Sequence, residues 1–426
     1  MGTPFSTATK KFTGIAEVTA GTQRDNTALK TSFGTKFYNA ELTIDTPLNN
    51  DSFKTMNGNH TGSVSTIGIE TGKFKGDARL PFNGSYAVSP DIGRYLKSCG
   101  YVEVDYKIAV GSNMAIGAVA IPVAANGDKV TIGQVITLLD TSNSNTENVT
   151  VVTGSTGTSI KITATTKAYL SPSSNAWIGK GFVPLKTADS TTMTFGQYVE
   201  QTGGTAPAVV ADYVFGAMGN VEIGVDGIGD PLKATFDFSG GNGGSVDLAL
   251  ADEPVYSGSN NEYFDVIKSA PATIKNLTKS GAAVPMCITT FKFNSGNTIS
   301  PFTCGSTTTG FGNSFISARQ PKISFNPVLQ TMSTQNAMQE CINGDEVRVE
   351  IATTHWSFVV PVGQLSPVQR GDRDGVVSNE MNVRALGNIG TNALSYANAF
   401  LAGTSTALTA EQVTEVSHEI VYGRRF

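Results

Sequence analysis

Apolar and polar residues alternate along many short segments of this chain. Residues Leu232–Gly240 carry apolar side chains at every second position over most of their length, as a strand with one buried face does. The segments Phe37–Ile44 and Glu346–Thr353 alternate in a similar way. Gly, Asn and Ser, the usual residues of turns, separate such segments. The pattern predicts a mostly β fold.

Two segments predict short helices instead. The first follows Ser89 and Pro90, which suit a helix start, and stops at Gly100. Its apolar residues fall at helical spacing and form one face: Ile92, Tyr95, Leu96 and Cys99. The second helix is predicted over residues 334–343, with Gly344 ending it.

The order of these elements divides the chain into five parts. Residues 1–35 are expected to form an extended N-terminal arm, ordered by a neighbouring subunit. Residues 36–111 and 187–250 form a first, discontinuous β unit, and residues 251–395 form a second one, entered through a linker over 252–275. Residues 112–186 hold short strands and turns and are interpreted as a small inserted β domain. Residues 396–426 are a C-terminal segment.

Both units contain β ribbons, one short helix and then further strands. We interpret this shared order as an internal structural repeat that the inserted domain interrupts in the first copy. The fold class predicted from the sequence is therefore mostly β, with two β-sandwich or barrel-like units, short helices and an inserted small β domain.

The charges and apolar runs of the chain limit the kinds of partner that it is expected to bind. Only 15% of the residues are charged, and carboxylates outnumber Lys and Arg by 35 to 30, which gives a formal net charge of −5. No basic cluster is present for gripping nucleic acid phosphates. No apolar run approaches the ~18 residues of a membrane span, and the start at Met1 lacks a secretory pattern. We therefore expect no membrane partner.

The candidate chemistry of the chain is sparse. Its histidines, His60, His355 and His418, are far apart and form no metal-binding motif. Its cysteines, Cys99, Cys287, Cys304 and Cys341, are scattered and are expected to be reduced, buried thiols.

Three further segments are interpreted as turns. Asp372, Asp374 and Gly375 lie close together, as do Asp226 and Asp230, but neither group has the spacing of a calcium loop. The Gly-rich run 240–244 is also assigned to a turn. No catalytic, cofactor-binding or metal-binding residues are predicted, and the chain is not expected to be an enzyme.

Three sets of residues together resemble the tail tube proteins, or major tail proteins, of long-tailed bacteriophages. The first set is Pro81–Ser85 followed by the helix Pro90–Tyr101. The second is Phe215–Ile223 followed by Gly229–Gly240. The third is Lys322–Pro327, with Asp372–Val376 near the end of the second unit. The order of these segments carries the resemblance, which covers most of residues 36–110 and 190–390.

The resemblance implies a structural virion protein whose subunits form rings that stack helically into the conduit for genome delivery. Two units per chain imply homotrimeric rings with pseudo-sixfold symmetry. The implied partners are other copies of the chain, the tape measure, terminator and baseplate proteins, and DNA that passes without specific binding. The implied location is the virion tail, after synthesis and assembly in the cytoplasm of the bacterial host.

Further expectations concern the layout of such a tube. The inserted domain is expected to project outward, and the lumen is expected to be acidic or neutral so that DNA is not retained. The main alternative is a surface adhesin made of tandem β sandwiches. A capsid protein would need a long helix that the sequence lacks, and a polysaccharide-degrading β enzyme would need paired carboxylates in a cleft.

Overall fold

The structure is a computed structural model, and it confirms that the chain is mostly β, with antiparallel strands and short helices. It describes residues 5–31, 37–45, 48–54, 61–67, 69–82, 92–124, 127, 130, 135–184, 191–201, 209–254, 263–264, 272–279, 283–303, 311–353, 355–373, 375–386 and 420–423.

The elements of the first half are β1 (Phe5–Ala16), α1 (Asn26–Thr31), β2 (Phe37–Asp45), β3 (Leu48–Lys54), β4 (Thr61–Ile67), β5 (Thr71–Arg79), β6 (Pro81–Phe82), α2 (Gly93–Lys97), β7 (Tyr101–Ala109), β8 (Ala120–Pro122), β9 (Val135–Asp140), β10 (Asn145–Thr150), β11 (Ser159–Lys161), β12 (Ser174–Pro184), β13 (Met193–Gln201), β14 (Val209–Val225) and β15 (Lys233–Leu248). A short 3-10 helix covers Leu250–Asp252.

The elements of the second half are β16 (Tyr263–Phe264), β17 (Ala272–Asn276), β18 (Val284–Met286), β19 (Phe291–Asn294), β20 (Asn297–Thr303), β21 (Phe311–Arg319), β22 (Lys322–Phe325), α3 (Ala337–Asn343), β23 (Glu346–Ala352), β24 (Trp356–Leu365), β25 (Gln369–Arg373), β26 (Val376–Ala385) and β27 (Ile420–Gly423).

The two halves use one order of elements. In each half, a strand leads into a long hairpin and then into a second strand that pairs with the first: β2, β3–β4 and β5 in the first half, β19, β20–β21 and β22 in the second. A short helix follows in each case, then a strand pair (β7 with β12, β23 with β24) and a closing hairpin (β14–β15, β25–β26).

Helices α2 and α3 form where the sequence predicts helices, whereas α1 was not predicted. In α2 and the turn after it, Ile92, Tyr95, Leu96 and Cys99 are almost fully buried, which confirms the predicted face. The proposed start at Ser89 lies outside the described residues. In α3, the Asn336 side chain accepts a hydrogen bond from the Gln339 amide at 3.1 Å. Gly344 ends this helix in the left-handed conformation, as expected.

The main hydrophobic core runs through both halves without a break. In the first half, the rings of Phe74 and Phe195 stack with centroids 4.3 Å apart. In the second half, Phe291 packs against Phe358 at 5.3 Å. The two proposed units therefore share one core in the described part of the chain.

Residues between β7 and β12 form an outgrowth with a hydrophobic cluster of its own. Its strands include β8 paired with β11 and β9 paired with β10, and β9 also pairs with the start of β12. Asp140, at the end of β9, is inaccessible to solvent. Its carboxylate accepts hydrogen bonds from the amides of Ser142 and Leu170, both at 2.9 Å, and from the Ser173 hydroxyl at 2.9 Å.

The prediction of an extended N-terminal arm is wrong over the described residues. Strand β1 pairs with β13 of the same chain, from Lys10 opposite Val199 to Ala16 opposite Met193. The buried Leu29 of α1 packs in a cluster with Tyr198 and Tyr213. The segment is therefore ordered by its own chain, because a sheet edge and an apolar cluster are available there.

The Gly-rich run 240–244 is also not a turn, because it lies inside β15. A Cβ atom on Gly240 would lie 2.4 Å from the Phe215 carbonyl oxygen, and one on Gly241 would lie 2.4 Å from the Phe311 ring. At Gly240 and Gly241, glycine is thus required by close packing and not by a chain reversal. The expected linker 252–275 likewise ends in a strand, since Ala272–Asn276 forms β17, which pairs with β18 and β23.

The C-terminal strand β27 joins the two halves. It pairs with β12 on one side and with β24 on the other, where Val421 lies opposite both Phe182 and Phe358. The rings of Phe182 and Trp356 lie 6.5 Å apart. A few residues at the end of the chain thus bridge its two halves.

Candidate assembly interface

Two strands from different halves of the chain, β14 and β19, pair with each other and form a junction between the halves. The last part of β14 pairs with β19 in antiparallel register, from Glu222 opposite Asn294 to Val225 opposite Phe291. The strand order across this junction is β2-β5-β15-β14 followed by β19-β22-β26-β25. Two four-stranded ribbons of the same order are therefore joined edge to edge.

The two faces of this junction differ. Ile223 and Phe293 lie opposite each other and are fully buried on the core side. On the solvent side, the Lys292 ammonium lies 3.6 Å from the Glu222 carboxylate and 3.7 Å from that of Asp226. Apolar packing therefore stabilises one face, and exposed ion pairs of small energetic weight set the register on the other.

Asp226 receives most of its charge compensation from the strand that follows it. A hydrogen bond from the Lys233 ammonium is the main cause that lowers the pKa of Asp226, and Lys292 adds to it. The same contact raises the pKa of Lys233. Both groups are therefore charged at neutral pH, and their charges largely cancel.

The second half also covers the end of helix α2. The Arg319 guanidinium donates hydrogen bonds to the carbonyl of Cys99 at 2.7 Å and to that of Gly100 at 3.1 Å. The Asn297 amide donates to the Cys99 carbonyl at 2.8 Å. Arg319 also lies over the Tyr101 ring, 4.6 Å from its centroid. Asn297 and Arg319 begin and end the β20–β21 hairpin, and they satisfy backbone carbonyls in the turn that follows α2.

Each ribbon end has one edge strand with no further partner among the residues described. β2 pairs only with β5, and β25 pairs only with β26. Open edges of this kind are templates for pairing with another chain. β2 has the same place in the first ribbon as β19 has in the second, and β25 has the same place in the second ribbon as β14 has in the first. β14 and β19 already pair with each other at the internal junction.

The solvent face of the double ribbon carries charges of both signs. Its basic residues are Lys73, Lys75, Arg79, Lys233, Lys292, Lys322 and Arg384, and its acidic residues are Glu41, Asp45, Asp77, Glu222, Asp237 and Glu380. Several are paired across strands, as Lys75 with Asp237 at 3.1 Å. No strongly basic stripe is present on the described part of this face.

The acidic turns have the conformations expected of turns. Gly375 adopts a positive φ between β25 and β26, and its amide donates to the Asp372 carboxylate at 2.8 Å. The Asp230 amide donates to the Gly227 carbonyl at 3.2 Å, between β14 and β15. Asp374 lies outside the described residues.

Of the histidines, His355 is half-buried between β23 and β24, and His60 and His418 lie outside the described residues. The expectation of buried cysteines holds for Cys99, where burial raises the pKa of the thiol. It is wrong for Cys287, which is exposed, and Cys341 is half-buried. Cys304 lies outside the described residues.

Within the described ranges, no three His, Cys, Asp or Glu side chains are grouped as a metal ion would need. No helix there has the length and apolar character of a membrane span. The capping pair Asn297 and Arg319 was not found from the sequence. Single polar residues give no local signal for a contact made about 200 positions away.

Comparisons with known proteins give no relative from which a role could be inferred. No protein-family model matches the chain, and no curated protein matches it. The interpretation of the open edges therefore rests on their geometry.

Proposed function

We propose that the chain is a structural subunit that closes into rings and stacks into the tube of a phage tail. The observation that carries this proposal is the internal junction. One chain already contains two ribbons of the same strand order joined edge to edge. Within the described residues, the outer edges of β2 and β25 have no further strand partner.

Pairing of β25 in one copy with β2 in the next repeats the β14–β19 junction between chains. Such a head-to-tail interface produces a closed ring when the rotation per unit closes, and a filament when it does not. With two units in each chain, three copies give a ring of six units. The resemblance to tail tube proteins supports the same count.

The charges on the ribbon face suit a wall past which DNA slides. Duplex DNA carries one charge per ~1.7 Å of its axis, so a basic lining would retain it strongly. On the described face, lysines are offset by carboxylates, as in the Lys75–Asp237 and Lys292–Glu222 pairs. This balance supports a conduit and not a DNA-binding surface.

Electron microscopy and native mass measurement of the purified full chain test the proposal. We expect hollow rings of three chains, and stacks of such rings at higher protein concentration. A chain that remains monomeric at all concentrations and ionic strengths tested would contradict it.

A matched pair of variants tests the β2–β25 contact. Gln369 is exposed on β25, on the face where β2 presents Glu41 and Asp45. Gln369→Glu is expected to raise the protein concentration needed for assembly by a few fold (roughly 0.5 kcal/mol), and Gln369→Lys is expected to lower it. Both effects should fade in high salt.

Two controls accompany this pair. Glu380 lies opposite Gln369 within the chain, so the melting temperature of the unassembled variants is measured as well. The same two substitutions at Thr153, an exposed residue of the outgrowth, are expected to leave assembly unchanged. Equal effects at Thr153 and Gln369 would argue against an interface at β25.

A further inference from the structure

Helix α3 presents its two largest apolar side chains to solvent and buries its acidic side chain. Glu340 is only 7% exposed, and its carboxylate accepts hydrogen bonds from the amides of Asn276 at 3.1 Å and Gln335 at 3.4 Å. In contrast, Met338 is 50% exposed and Ile342 is 72% exposed. These two are four positions apart and so share one face of the helix. This arrangement is the reverse of an ordinary surface helix.

The exposed face borders a groove with a volume of about 240 Å³. Its apolar lining includes Leu329, Met332, Met338, Ile342 and Val368, and Met332 is itself 51% exposed. Arg370 of β25 also lines the groove. The groove therefore lies directly beside the open edge strand that we propose to pair with the next copy.

The corresponding helix of the first half has no such exposed face. The apolar residues of α2 are buried, and the end of the helix is covered by Asn297 and Arg319. These two residues follow β19, the strand that adjoins the first ribbon, and precede β22. In the second half, the described part of the chain supplies no equivalent cover for α3.

We propose that the groove beside α3 receives Ile69 of the next copy of this chain in the ring. The proposal rests on the proposed ring and names the partner of this surface. Ile69 lies just before β5, as Arg319 lies just before β22. Within the chain, the pairing of β14 with β19 brings Arg319 to the end of α2. Pairing of β25 with β2 of the next copy brings Ile69 of that copy to α3 in the same way.

In the contact at α2 and in the proposed contact at α3, the approaching residue has the polarity of the groups that it meets. At α2, polar side chains meet the carbonyls of the helix end. At α3, the approaching residue is Ile69, which is 42% exposed in the single chain, and the receiving residues are Met338 and Ile342. Burial of apolar surface on both partners stabilises the contact.

The test uses Ile342→Lys in the full chain, with ring formation as the readout. Ile342 is largely exposed, so the variant is expected to fold with an unchanged melting temperature of the single chain. Its assembly should need a protein concentration at least about tenfold higher, because a charge is placed in an apolar contact. The matched control is Ile116→Lys on the outgrowth, where Ile116 is 71% exposed. That control is expected to assemble as the unmodified chain does.

A charge pair tests whether Ile69 is the residue that enters the groove. Ile69→Lys and Ile342→Glu are each expected to weaken assembly, and the double variant is expected to recover much of the loss because every junction then pairs the two charges. If Ile342→Lys forms rings as readily as the unmodified chain, or if the double variant shows no recovery, this inference is wrong although the ring proposal stands. If the unmodified chain forms no rings, both fail.

Discussion

Asp140 is the residue on which the conformation of the outgrowth depends most directly. Burial acts to raise the pKa of this carboxyl, but hydrogen bonds from the Leu170 amide, the Ser173 hydroxyl and the amides of Ser142 and Asn143 outweigh it and lower the pKa to about 2. A carboxylate that accepts several hydrogen bonds in the fold stabilises that fold only while it is charged. The turns at residues 142–143 and 170–173 are thus held by a negative charge.

This arrangement predicts a pH dependence that is local to the outgrowth. Because the pKa in the fold lies below the ordinary value of 3.8, the stabilisation is complete above about pH 4 and is lost as the pH falls towards about 2. We expect the protection of the Leu170 amide against hydrogen exchange, corrected for the intrinsic effect of pH, to fall at least about tenfold across that range.

Asp140→Asn is the matched variant. It should show lower protection at neutral pH and a weaker acid response, with the remainder attributable to Glu147. Hydrogen bonds from Thr166 lower the pKa of Glu147 despite an opposing effect of burial. If the protection of the Leu170 amide falls with pH as much in Asp140→Asn as in the unmodified chain, another group controls the turns at residues 142–143 and 170–173.

Single residues show how far the sequence could predict this structure. The buried face of α2 and the end of α3 at Gly344 follow from spacing within ten residues, so they were found. Gly240 was misread because its role depends on Phe215, which lies next to it only through strand pairing. The open groove at Met338 was missed because nothing in the local pattern says which side of α3 faces the core.

At the scale of elements, local alternation predicts that a strand forms but not its partner. The sequence predicts an arm at β1 because residues 1–35 are rich in Thr, Gly and Lys and show little periodicity, and the partner strand β13 follows about 180 residues later. The strand β14 was predicted in outline, but its pairing with β13 at one end and with β19 at the other depends on the registers of two strands, of which β19 is distant in sequence. The candidate interface was therefore beyond sequence analysis.

The outgrowth is attached as an extension of one hairpin, and this predicts that it can be removed. Ala109 of β7 lies opposite Asn175 of β12, and the Val110 amide donates to the Ser174 carbonyl at 3.0 Å. Replacing residues 111–173 with Asn-Gly gives a two-residue turn that suits such a hairpin. We expect the shortened chain to fold and to assemble at a concentration within about threefold of the full chain.

Electron microscopy and a concentration series check this expectation. A second variant that carries a flexible Gly-Ser linker in place of residues 111–173 separates the effect of the turn from that of the deletion. If both shortened chains fold but neither assembles, the outgrowth takes part in the interface.

At the scale of the whole molecule, β27 closes the structure by bridging β12 and β24. Its removal would leave both of these strands with unpaired backbone groups, each hydrogen bond being worth about 1 kcal/mol in net terms. We expect deletion of residues 420–426 to lower the free energy of unfolding by about 3 kcal/mol or more, measured by chemical denaturation. Deletion of residues 424–426 alone is the control and should have little effect. Equal stability of the two deletions would show that β27 does not hold the halves together.

The internal β14–β19 junction also has a kinetic consequence. Two ribbons linked in one chain meet at an effective concentration that separate subunits reach only in very concentrated solution. In a ring of such chains, every second junction is therefore already made when the protein folds, and only the β25–β2 junctions depend on encounters between molecules. A ring of three chains would therefore have half as many intermolecular junctions as a ring of six single ribbons, and it would always break at the boundary between chains.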